Sequence, residues 1–293
     1  MTIIQMEILL KVVETGNFTK AGEELGLSQS AVSHAISNLE SELGFALIRR
    51  NRTGVSMTPN GKEIIAYMRT MLNILEQMKQ KAADIQGMQT GTIRVGSFPS
   101  VSIKWMPFIL KKFHHEYPSI QVEIREGGYE QIEEWISGGF VDLGFLPFTT
   151  KKLPFDMSLL QKDRLVLLLP VHHALSQIKI PNLEQIAKEP FIMPKKGCDV
   201  QIRKMFKEKK LKPNVLLEIG DDHAIVAMVQ AGLGVSILPE MTLPNAIENI
   251  HATYIGEETY RTIGIAASTF ATLSPAAQKF LDLTETWIKG QAQ

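Results

Sequence analysis

The sequence predicts a chain in two parts: a small helical domain with a helix-turn-helix and a wing, then, beyond a long connecting helix, an α/β region. Three observations predict this. Two short apolar-periodic runs in residues 17–44, "NFTKAGEELGLSQSAVSHAISNLESELG", are separated only by "GLS". An apolar stripe at heptad spacing follows between Ile64 and Ile85. From Thr92 onward, β-type and helix-type segments alternate, which is the pattern of an α/β fold.

Composition bounds the answer. The chain has 293 residues, enough for two or three domains. It is 44% apolar and 21% charged, as soluble globular proteins are. Net charge is zero, so attraction to a polyanion has to come from local clusters. Cys198 is the single cysteine, which rules out an intrachain disulfide and fits a reducing cytosol. The first residues carry no early basic cluster and place Glu7 within an apolar run, unlike a secretion signal. No apolar run approaches the roughly 20 residues that span a bilayer. The expectation is a cytoplasmic protein with no membrane partner.

Ile3, Met6, Leu9, Leu10 and Val13 give a first helix. A second runs over about residues 19–25, capped by Asn17 or Thr19. Ser28 is placed to cap a third, along which Val32, Ile36, Leu39 and Leu43 form one apolar face. A short helix, a turn containing Gly and a second amphipathic helix make a helix-turn-helix. The outer face of the second helix shows Ser28, Gln29, Ser30, Ser33, His34 and Ser37, nearly without charge. A merely solvated helix face is usually rich in Glu and Lys, whereas short donor–acceptor side chains suit base edges in the major groove. After Gly44, "FALIRRNRTGVSMTPNG" brings Arg49, Arg50 and Arg52 together among β-compatible residues. A charge run is usually just a solvated surface. Directly after a helix-turn-helix it reads as a wing whose arginines contact phosphate or enter the minor groove.

"TPNG" opens a long helix over about residues 60–86. Ile64, Met68, Met71, Leu75, Met78, Ala82 and Ile85 recur at spacings of four and three. Such a stripe predicts pairing with a second subunit, or else packing on the helix's own domain. "GMQTG" is a natural domain boundary. Beyond it, strands are expected at "TIRVG", "QVEIR", "VDLGFL", "RLVLLLP", "PFIMP", "NVLLEI", "GVSIL" and "RTIGIAAS", with helices between them and mostly parallel sheets.

Taken in order, these pieces resemble the LysR-type transcriptional regulators. The resemblance spans the whole chain: the helix-turn-helix, the "LIRRNRTGVSMTPNG" wing, "GTIRVG", "FHHEYPSIQVEI", "GGFVDLGF" and "VQAGLGVSILPE". Gly22 departs from the usual Ala, at about 1 kcal/mol of helix propensity. Ile48 and Met57 replace a frequent Phe and Leu. The implied fold class is an α/β effector region of two periplasmic-binding-protein-like subdomains, joined by a long linker helix to an N-terminal all-α winged helix-turn-helix domain. The implied domains are 1–58 for DNA binding, 59–90 for linkage and dimerisation, 91–161 with 267–293 for effector subdomain one, and 162–266 for subdomain two. Two crossover strands would hinge the subdomains over a ligand cleft at strand carboxyl ends.

Carried onto this chain, the resemblance implies an effector site at Ser100, Ser102, Tyr129, Phe145 and Phe148, with Lys196 and Cys198 across the hinge. Ser100 or Ser102 at a helix N-terminus, with Lys195 and Lys196, would suit a small carboxylate-bearing metabolite. Ile64, Met68, Met71, Leu75 and Met78 would carry dimerisation. The implied partners are double-stranded DNA with a two-fold symmetric operator, a small-molecule effector and other copies of the chain as homodimer or homotetramer; RNA polymerase is a further candidate.

Other chemistry finds little footing. Lys195 and Lys196 could lower the Cys198 pKa, but a small cleft-lining residue is the plainer reading. His114–His115 and His172–His173 are adjacent pairs, which diverge on a helix and make no chelate. With no HExxH, CxxC or HxH spacing, no metal is expected. "AGLGVS" precedes a strand rather than opening a helix, so it is no dinucleotide motif, and no nucleophile elbow or P-loop occurs. The expectation is therefore no enzyme and no cofactor. The competing class is a solute-binding or enzymatic α/β protein whose N-terminal helices serve only assembly.

Overall fold

The structure, a computed structural model, describes residues 1–51, 54–148, 154–195, 199–244, 249–255 and 259–291. The N-terminal domain opens with α1 (Ile3–Thr15), α2 (Phe18–Leu25) and α3 (Gln29–Leu43). Each starts on a polar cap: Thr2 in a capping box with Gln5, Asn17 accepting from the Thr19 and Lys20 N–H groups, and Ser28 accepting from Ala31 at 3.2 Å. Each ends on a left-handed glycine, Gly16, Gly26 or Gly44. The hairpin β1 (Ile48–Asn51) and β2 (Gly54–Met57) forms the wing. Leu9, Val12, Val32, Ile36, Leu39 and Leu47 fill the core beneath.

Gly22 has a local reason. A Cβ there would stand 2.6 Å from the Leu27 carbonyl oxygen, and the Gly22 carbonyl accepts from the Leu27 N–H at 2.8 Å. The turn into α3 folds back so tightly that no side chain fits. The helix propensity lost at Gly22 is what admits this turn.

The linker helix α4 (Pro59–Ile85) begins at Thr58, which caps the Gly61 N–H at 2.9 Å. The heptad reading needs correcting in phase. Met68 is buried and Ile64 half-buried against the N-terminal core, while Leu75 is also half-buried. The exposed stripe is Tyr67, Met71, Ile74, Met78 and Ile85, each at least 50% exposed. The reason is that the first turns of α4 also serve their own domain's core. The helix therefore carries two apolar faces, and the sequence pattern merged them.

The remaining chain forms two cores. The first gathers β3 (Gly91–Ser97), α5 (Pro99–Lys104), α6 (Met106–Glu116), β4 (Ile120–Glu126), α7 (Tyr129–Ser137) and β5 (Leu143–Pro147). The chain then leaves along β6 (Asp156–Pro170) into the second core. There α8 (Leu183–Ile186), β7 (Pro190–Pro194), α9 (Asp199–Glu208), β8 (Asn214–Ile219), α10 (Asp222–Gln230), β9 (Ser236–Pro239) and β10 (Ile250–Tyr254) follow. It returns along β11 (Tyr260–Ala267) and closes with α11 (Pro275–Gln291).

Three expectations change here. Among the described residues, parallel ladders join β3–β4, β3–β5 and β7–β8, with one isolated parallel bridge between Phe191 and Val235; β6 and β11 pair antiparallel with each other and with the other strands they meet. A chain that crosses to a second unit and returns must lay its two crossings in opposite directions. The return crossing also falls earlier than residue 267, because Ile263, Ile265 and Ala266 are buried in the first core beside β5. The segment "SIKWMPFILKKFHHEY", whose pattern predicts one helix, forms two, α5 and α6, broken at Trp105 just before Pro107.

Candidate functional site

Two surfaces gather the residues singled out in the sequence. The first is the outer face of α3 with the wing. Ser28, Gln29, Ser30, His34 and Ser37 are exposed, as are Arg49 and Arg50, and Ser33 is half-buried. They form one polar surface because Val32, Ile36 and Leu39 turn inward from the same helix. Ser28 spends its hydroxyl on the cap and on Ser30 at 2.9 Å, so it shapes the helix start rather than standing open. His34 Nδ1 lies 3.2 Å from the Asn38 amide. Arg50 lays its guanidinium 3.9 Å over the Phe18 ring and donates to the Ser33 hydroxyl at 2.6 Å. Wing and helix are thus stitched together, with the Arg50 head held beside Ser33. Arg52 lies outside the described residues.

The second surface is the junction between the two cores. Arg261 is its centre, and sequence reasoning passed over it. Its guanidinium is almost wholly buried and grips the Asp163 carboxylate with Nε at 2.8 Å and Nη2 at 2.6 Å. It also donates to the Tyr129 hydroxyl at 2.6 Å and to the Ser100 hydroxyl at 2.7 Å, with the Phe98 ring 5.1 Å away. Ser100 and Tyr129, both expected in the site, therefore meet on one cation. Asp163 accepts the Met241 N–H at 3.1 Å as well. Burial pushes the Asp163 carboxyl above the ordinary carboxylate range, against the pull of Arg261. Asp222, at the start of α10 in the second core, is raised by burial too, and Arg261 counteracts that shift.

The other expected residues divide. Ser102 is half-buried and donates to the Ser97 hydroxyl at 2.9 Å. Neither serine caps its helix, since the cap position is Phe98. Phe145 is a correction: it is fully buried, edge-on to Trp105 in the first core, because β5 is covered on both faces. Phe148 is 47% exposed beyond the end of β5. Lys195 is exposed, while Lys196 and Cys198 lie outside the described residues. One signal for Arg261 was available: it is the only charge in "RTIGIAAS", and a charge at the mouth of a buried strand needs a partner.

Among the described residues, no helix is long and apolar enough to cross a membrane. Comparison with known proteins gives a consistent result. Residues 3–62 match the bacterial regulatory helix-turn-helix protein, lysR family, and residues 86–288 match the LysR substrate binding domain. An HTH-type transcriptional regulator of Bacillus subtilis, YvbU, is 31% identical over 97% of this chain and 98% of its own. LrrA of Synechococcus elongatus, a probable HTH-type transcriptional regulator, is 34% identical over 97% and 96%. Among solved structures, a full-length OxyR variant from Pseudomonas aeruginosa superposes with a TM-score of 0.80 at 20% identity, over 99% of this chain and 95% of that one. Full-length CbnR in complex with its target DNA gives 0.67 at 20%, over 98% and 99%, so both share the fold. The winged helix-turn-helix ahead of a matched substrate-binding domain thus makes this chain a member of the LysR family, a DNA-binding, effector-responsive transcriptional regulator and not an enzyme.

Proposed function

We propose that this regulator reads a two-fold symmetric operator through Gln29, Ser30, Ser33, His34 and Ser37, with Arg49, Arg50 and Arg52 holding the flanking phosphates. The carrying observation is the exposed, nearly uncharged face of α3 beside a wing arginine fixed by Phe18 and Ser33. Selection from random duplexes tests it. Gln29→Ala relaxes base choice at one position per half-site, whereas Arg49→Ala weakens all duplexes alike and lowers the salt slope by about 1. Variants that leave both base choice and salt slope unchanged sink this assignment.

A homodimer or homotetramer supplies the two-fold symmetry. Support comes from Tyr67, Met71, Ile74, Met78 and Ile85, an apolar stripe on α4 left exposed among the described residues. The effector binds between the two cores, above Arg261, touching Tyr129, Ser100 and Ser102. Arg261 and Lys195 favour a carboxylate-bearing ligand; Asp163 and Asp222 set two carboxylates against it. Thermal-shift comparison of each acid with its amide tells the two apart. The domain limits proposed for this function are 1–58, 59–90, 91–161 with 267–293, and 162–266; burial of Ile263, Ile265 and Ala266 in the first core supports a return crossing before residue 263. RNA polymerase is the partner through which such a regulator acts on transcription.

A further inference from the structure

Arg69, on the linker helix, is only 9% exposed. Its guanidinium lies 3.3 Å over the Phe140 ring, yet among the described residues no acceptor is within hydrogen-bond distance of its N–H groups. Its nitrogens are not among the fully enclosed atoms that lack a partner, so the donors of this largely buried guanidinium open onto a cavity. Burial, and then the like charge of Arg125, lower its pKa to about 10, with Glu14 opposing.

Arg69 lines a cavity of about 330 Å³ between the DNA-binding head, the linker helix and the first effector core. Lys11 enters from α1, Arg94 from β3 and Arg125 from β4, so four cations face two carboxylates, Glu7 and Glu14. Protein contacts satisfy these groups unevenly. Glu14 is shared between Lys11 at 3.1 Å and Arg125 at 3.5 Å. Arg94 reaches Asn73 at 3.5 Å and Glu123 at 3.7 Å. Lys11 also pairs with Glu24 at 3.3 Å, which leaves Arg69 without a carboxylate of its own and Arg125 with a share of Glu14, and these two guanidinium groups flank the same phenyl ring.

We propose that this cavity is an anion site, in which a small dianion carrying carboxylate or phosphate oxygens binds between Arg69 and Arg125 and fastens the DNA-binding head to the effector region. Guanidinium forks match both oxyanion types in bidentate geometry. The site lies apart from the cleft above Arg261 and does not depend on it. A ligand here touches α1, α4 and β4 together, so its occupancy bears on where the head can stand relative to the rest of the chain.

The test uses the full-length protein in thermal-shift and calorimetric titrations with inorganic phosphate and, separately, malate, at ionic strength matched with sodium chloride. The expected result is a saturable rise in melting temperature with one anion or both, and the anion that gives it names the oxygen donor. Arg69→Met and Arg125→Met should weaken that binding by about tenfold to a hundredfold. Glu14→Gln removes the competing carboxylate and should strengthen it, a gain that misfolding does not mimic. Lys204→Met, at an exposed lysine of the second core, should leave it unchanged. Absence of any saturable rise in the wild type overturns the proposal. So does a rise that survives Arg69→Met and Arg125→Met, or one that Glu14→Gln fails to strengthen.

Discussion

Replacing Arg261 by Met tests the assignment of the junction most directly. The substitution removes both N–H contacts to Asp163 and leaves the Tyr129 and Ser100 hydroxyls without their shared donor. Asp163 then keeps the Met241 N–H at 3.1 Å, as a buried carboxylate without its counter-charge. Breaking a buried pair from one side costs about 3–5 kcal/mol. For a region of this size that corresponds to a melting temperature lowered by about 6–20 °C. The pH dependence follows from the carboxyl. Burial already raises the Asp163 pKa, and losing Arg261 raises it further, so the folded state holds a proton that the unfolded state releases. Stability of the variant should then fall as pH rises from the unfolded carboxylate range through the raised folded value, and the deficit should be smaller near about pH 5 than near about pH 8. Adding Asp163→Asn removes the stranded charge and should restore at least half of the loss. Scanning calorimetry of the four proteins in a double-mutant cycle reads all of this. An Arg261→Met protein within about 1 kcal/mol of wild type, or a double variant less stable than Arg261→Met alone, would show that the pair is not the junction's stabilising element.

Other expectations are briefer. Gly22→Ala forces a Cβ to within 2.6 Å of the Leu27 carbonyl oxygen and should destabilise the head by about 1–3 kcal/mol despite better helix propensity; hydrogen exchange over α2 and α3 checks it, and a stabilised variant would contradict the tight turn. Ile74→Glu with Met78→Glu places charge on the exposed stripe of α4 and should halve or quarter the sedimenting mass; an unchanged mass would leave that stripe without its proposed job. Thr58→Ala removes the cap on the Gly61 N–H and should cost about 1 kcal/mol in denaturant unfolding of the head.

Much of the fold was legible because its signals are local. Asn17 and Ser28 cap where they stand in the sequence, Gly26 turns the chain, and Val32, Ile36 and Leu39 face inward at helical spacing. The strand runs from "TIRVG" to "RTIGIAAS" also form strands, although β6 begins at Asp156, well before "RLVLLLP". What failed was set by distant contacts. "IHATY" alternates too weakly to read as a strand and becomes one by pairing with β6. The seam on α4 shifted because Met68 found a core in its own domain. Phe145 is enclosed in the first core with Trp105 edge-on to it, and Arg261 joins residues that lie over a hundred positions from it.

The strand β6 runs for 15 residues, pairing with β11 up to Arg164 across a register shift at Leu160, and with β9 from Leu165 to Leu168. An extended backbone at about 3.3 Å per residue has almost no slack to give. A change in the angle between the two lobes is then taken up as torsion where the ladders change, at Arg164–Leu165, or at the bulge that leaves Leu160 unpaired opposite Ile263–Gly264. Asp163 sits at the edge of that twisting segment, which makes the grip of Arg261 a setting for its stiffness.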